Sequence, residues 1–105
     1  MAHGRNLIHL SGASRKELVP PPARGSYVLE FFQVTNRAAA SITVTVLIRS
    51  GGQDYILEDA VLLETKDKLA WTGRQAILPT DRVEVYLAAK PTTEPHAFAS
   101  WEVDQ

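Results

Sequence analysis

The sequence predicts an all-β protein, an antiparallel β-sandwich of jelly-roll or Ig-like type with about seven to eight strands. Three observations carry that prediction. Residues 42–49 alternate strictly enough to define an apolar face, Ile42, Val44, Val46 and Ile48, against Thr43, Thr45 and Arg49, the period of two that a pleated strand imposes. Turn-forming residues recur between short runs rich in Val, Ile, Thr, Tyr and Phe, as in sandwiches and barrels. No segment carries the 3.6-residue periodicity of an amphipathic helix.

Taken in order, residues 1–25 contain Gly4, Gly12, Ser11-Gly12-Ala13-Ser14 and Pro20-Pro21-Pro22, and the prolines enforce an extended backbone that excludes a helix. This segment is expected as an extended basic arm, with 26–105 as the sandwich domain. Apolar residues at 7–10 and 17–19 leave open that short pieces of the arm are pinned to a sheet edge. Residues 27–35 read as the first strand, 36–41 as a turn and 42–49 as the second strand. Ser50-Gly51-Gly52 supplies the positive φ of a tight hairpin turn, so 53–58 returns antiparallel. A kink at Asp59-Ala60 precedes 61–64, the polar stretch 65–68 turns the chain, and 69–72 is a short strand. Leu78-Pro79-Thr80-Asp81 is a turn in which the proline fixes φ and the aspartate bonds backbone. Residues 82–89 place Val83, Val85 and Leu87 on one face. After a loop over 90–95, residues 96–103 close the fold with Ala97, Ala99, Trp101 and Val103 inward.

Charge is divided along the chain. Arg5, Arg15, Lys16 and Arg24 oppose only Glu17 within the first 25 residues, a formal +3, and a total of −1 leaves −4 for the rest. A basic segment ahead of an acidic body can reach an acidic neighbour of its own kind, or simply be solvated. Cysteine is absent, which removes disulfides, thiolate metal sites and thiol catalysis. No apolar run has the length of a signal peptide or membrane span.

No enzyme is expected. The histidines, His3, His9 and His96, have no metal-ligand spacing. Asp67 and Asp81 fall in turns, where aspartate bonds backbone, and Asp54, Glu58 and Asp59 flank a hairpin without the alternation of a calcium loop. The serines lack a nucleophile elbow. No catalytic residue, metal or cofactor is assigned, and no nucleic-acid or membrane partner. Trp71 and Trp101 read as core, or with Tyr86 as platforms of a carbohydrate-binding module. Adjacent Phe31 and Phe32 must point to opposite faces, so one ring projects outward as a contact anchor or is covered by the arm. The candidate interface residues are Arg5, Arg15, Lys16, Arg24, Phe32 and Tyr86.

A resemblance narrows the function. Val34-Thr35-Asn36 leads into Ile42-Thr43-Val44-Thr45-Val46, then the Ser50–Gly52 turn, then Leu78-x-x-Asp81-x-Val83-x-Val85, and finally Trp101-Glu102. This layout, over about residues 26–104, resembles small β-sandwich structural proteins of tailed-bacteriophage virions. It departs from them in carrying Pro79-Thr80 where a glycine-bearing turn is usual, and in the basic arm. The resemblance implies a virion protein made in the host cytoplasm: a capsid decoration or a neck or tail accessory subunit. Its implied partners are major capsid, portal, neck or tail proteins and further copies of itself.

Overall fold

The structure, a computed structural model, describes residues 2–104. Eight strands form: β1 (Ala2–His9), β2 (Lys16–Val19), β3 (Ser26–Thr35), β4 (Ile42–Ser50), β5 (Gln53–Leu63), β6 (Lys68–Ile77), β7 (Asp81–Leu87) and β8 (His96–Asp104). They build two four-stranded sheets, β1-β8-β3-β6 and β2-β7-β4-β5. All neighbours are antiparallel. Among the described residues, only β4 and β5 are a hairpin within one sheet. Every other connection crosses between the layers, which makes the sandwich a jelly roll.

The inner faces follow the predicted alternation. Val44, Val46, Val83, Val85, Leu87 and Ala99 have no exposed surface, and Trp101 is 5% exposed. Phe32 and its cross-strand partner Trp71 stack at 5.3 Å and 8° between rings, and Tyr27 stacks on Trp101 at 5.4 Å. Gly4 lies opposite Trp101 in the register of β1 and β8. A Cβ at Gly4 would enter the indole ring, so the edge strand can sit over that ring only with glycine there.

Turn chemistry fixes the ends of strands. Leu78 N–H donates to the Asp81 carboxylate at 3.0 Å and Asp81 N–H to the Leu78 carbonyl at 2.9 Å, closing the predicted Pro-Thr turn. Asn36, 1% exposed, does more than turn the chain. Its Nδ2 donates to the carbonyls of Ala40, Leu63 and Glu64, and its Oδ1 accepts from Ala38 N–H. It thereby ties the β3–β4 loop to the end of β5. Gly51 and Gly52, both at positive φ, make the β4–β5 turn, and Ala60 at φ 47° is the kink, now inside one long β5.

The expected arm is corrected. Residues 2–9 are β1, hydrogen-bonded along β8, and 16–19 are β2, paired with β7. Leu10, Leu18 and Val19 are fully buried members of the core. The polyproline run shapes a connection between sheets rather than a boundary, because apolar residues on its N-terminal side find the same core as those beyond it.

Candidate assembly surfaces

The outward face of the β2-β7-β4-β5 sheet carries an ion-pair lattice. Arg15, just ahead of β2, donates two hydrogen bonds to Asp54 at 2.9 and 2.8 Å and a third to Glu84 at 3.3 Å. Arg49 donates to Asp54 and Arg82 to Glu84, each at 2.8 Å. The Arg15 guanidinium also lies 5.4 Å from the centre of the Tyr86 ring, within cation–π range. Leu47 shares this face, opposite Glu84 and Ile56. It is fully buried while standing apart from the core cluster, so the surrounding side chains shield it from outside.

The lattice sets protonation. Hydrogen bonds from Arg15, then from Arg49, hold the Asp54 carboxyl well below the usual carboxylate range, and the bonds to Asp54 and Glu84 raise Arg15. A carboxylate clamped this way delivers no proton near neutral pH. Its chemistry is that of a rigid polar face.

Of the predicted interface residues, the structure joins Arg15 and Tyr86. Arg5 is exposed on β1 opposite Ser100, Lys16 starts β2 half-buried, and Arg24 is exposed in the β2–β3 loop. Phe32 is a correction: it has no exposed surface and belongs to the core, while Phe31 points outward. A register shift between Leu29 and Phe31 resets the alternation in β3, and residue order alone does not locate it. The tryptophans proposed as sugar platforms are occupied internally, Trp101 in the core and Trp71 against Phe32.

The outward face of β1-β8-β3-β6 holds an apolar strip. Leu7, 67% exposed, pairs with Phe98, whose ring lies 5.3 Å from Phe31. Beside it is a groove of about 330 Å³ lined by Leu7, His9, Thr35, His96 and Phe98. His9 and His96 meet edge to face at 4.5 Å, and Arg37 lies 2.8 Å from His96 Nε2. Lost hydration, then the charge of Arg37, pushes His96 below its ordinary value of 6.5, although the residue is exposed. At the other end of the sheet, His3, Glu30 and Glu102 bring ligand atoms within 4.8 Å of one another. Spacing along the chain could not reveal this group, since three different strands supply it. Arg74, 3.5 Å from Glu30 and 4.0 Å from Glu102, provides its balancing cation.

Comparison with known proteins adds the fold. No protein-family model and no curated protein sequence matches the chain. The nucleoplasmin-like N-terminal domain of Drosophila FKBP39 is similar in structure, at TM-score 0.52 and 9% identity, over 98% of this chain and 93% of that one. A Bacillus endospore appendage protein, from a family of disulfide-linked pili, is similar at TM-score 0.54 and 15% identity, over 98% and 88%. A virus-like particle protein of the Macrobrachium rosenbergii extra small virus aligns at TM-score 0.42 and 10% identity, over 100% and 82%. At these identities the likeness to the first two is one of architecture, and without cysteine this chain cannot form the pili's disulfide links.

Proposed function

We propose that this chain is a non-enzymatic structural subunit of a tailed-phage virion, a capsid decoration or neck or tail accessory protein that docks through the outward face of β1-β8-β3-β6. The observation that carries the reading is the strip Leu7, Phe98 and Phe31 on that face. Leu7 is exposed and the two rings are half-buried, and apolar side chains gathered on the outward face of a sheet are anchors on which protein interfaces concentrate their energy. The sandwich framework and the layout resemblance support the virion assignment, and the locked carboxylates of the opposite face support a scaffold role. The test is mass spectrometry of purified virions, with a Leu7→Asp variant supplied in place of the wild type. The wild-type chain is expected in the particles and the folded variant is expected to be missing from them. Absence of the wild type, or equal incorporation of the variant, overturns the proposal.

A further inference from the structure

On the open side of the sandwich β5 ends one sheet and β6 ends the other, so each presents backbone N–H and C=O groups that no strand pairs. Tyr55, Ile56 and Leu62 on β5 and Leu78 beyond β6 are about half exposed or more, at 54, 48, 60 and 51%. Between the two lips runs a groove of about 400 Å³, with Tyr55, Ile56 and Leu57 on one side and Gln75 and Ala76 on the other. The lips differ in charge. Strand β5 carries Asp54, Glu58 and Asp59 and no base, whereas β6 carries Lys68 and Arg74 and no acid. Among the described residues, Glu58, Asp59 and Lys68 have no ion-pair partner.

We infer that this side is a self-association surface, on which a second copy of the chain lays its β5 along β6 of the first, and its β6 along β5, about a two-fold axis parallel to the strands. Such an axis exchanges the two layers at the junction, so each acidic lip meets a basic one and both junctions are equivalent. It also keeps each residue's level along the strands. Tyr55 and Ile56, level with Gln75 and Ala76 in one chain, therefore come level with Gln75 and Ala76 of the second copy. The kinks at Ala60 and at the β3–β6 register shift limit regular pairing to that end.

The competing arrangements are less favourable. A two-fold axis across the layers sets β5 against β5, so that the unpaired Glu58 and Asp59 of one copy meet the acidic strand of the other. Head-to-tail stacking sets β5 against the four-residue β2, and Lys68 and Arg74 of β6 against the Arg5-bearing β1, with like charges opposed. The inference deepens the structural-subunit reading but uses a different surface from the docking face.

The test is sedimentation velocity with the full chain and two charge variants, E58K/D59K and T72E/R74E, which alter the positions that come level on β5 and β6, each checked for folding by its melting curve. The wild type is expected at twice the 11.6 kDa chain mass. Each variant alone is expected as monomer, because its lips then repel, and an equimolar mixture is expected to regain the dimer, because both junctions are again opposite in charge. A wild type that stays monomeric at millimolar concentration, variants that dimerise alone, or rings and filaments in place of a closed dimer would overturn it. A monomer still found in virions sinks this inference alone, and a dimer missing from virions sinks the virion reading alone.

Discussion

Leu18→Ala measures whether the N-terminal segment is part of the cooperative fold. Leu18 sits on a four-residue strand with no exposed surface, inside the core cluster. Truncation removes the apolar contacts and leaves a cavity between two sheets whose backbones are held by hydrogen bonds, a cost of about 2–5 kcal/mol for buried leucine. Taking about 3 kcal/mol, and a urea dependence of about 1–1.5 kcal/mol/M for a domain this small, the unfolding midpoint falls by about 2–3 M. That is a large share of the roughly 5–15 kcal/mol available to a single domain. Leu7→Ala is the control, since Leu7 lies in the same segment but is 67% exposed and should shift stability by less than about 0.5 kcal/mol. Trp71 and Trp101, packed between the sheets, report unfolding by fluorescence. If the two variants unfold at the same urea concentration, near the wild type, β2 is not part of the cooperative unit and the core assignment of Leu18 is wrong.

Asn36→Ala removes one donor group serving three carbonyls and the acceptor for Ala38 N–H. It should cost about 2–4 kcal/mol in urea unfolding, because buried polar groups lose their partners. Asn36→Asp keeps the shape but aims a carboxylate at those carbonyls, so its deficit should be at least as large at neutral pH and shrink as acid protonates it. For His96 the folded value lies below the ordinary 6.5, so the unfolded chain binds the proton more readily. Its contribution is fully present above pH 6.5 and lost as pH falls below that value. His96→Gln should therefore flatten the wild-type decline in melting temperature as pH falls below about 6.5; an unchanged slope would refute the His96 assignment.

The sandwich and most of its core were legible because β4, β7 and β8 each bury one face and leave the other mainly polar, so period two stands in the residues themselves. The turns were legible for a similar reason: Gly51-Gly52 and Pro79-Thr80-Asp81 carry their geometry locally. Strand β1 was legible only as an open possibility at residues 7–10, because it is an edge strand that exposes the apolar Leu7, so its pattern points no way clearly. Strand β2 is too short to show a period, and three prolines beside it suggest a boundary. The outward ring in β3 depended on a register shift that lies between partners rather than in the chain. The Arg15 lattice draws on a loop and three strands and is legible only through pairing, although Arg15 and Tyr86 themselves stood out. The docking role of the candidate residues rests on experiments of the kind set out above.

The pairing of Ala2 with Val103 and of His9 with His96 also bears on how the molecule comes into being. Strand β1 is synthesised before the other seven strands, and its partner β8 last of them. Strand β8 is then inserted between β1 and β3, so the first sheet cannot close until β8 has been made. Closing contacts so distant along the chain places folding among the slower single-domain cases, on the order of milliseconds to seconds. Throughout that interval β3 has an open side where β8 belongs, and any chain nearby with a complementary strand competes for it. Yield in expression should consequently depend on how crowded nascent copies are as well as on the stability of the finished sandwich.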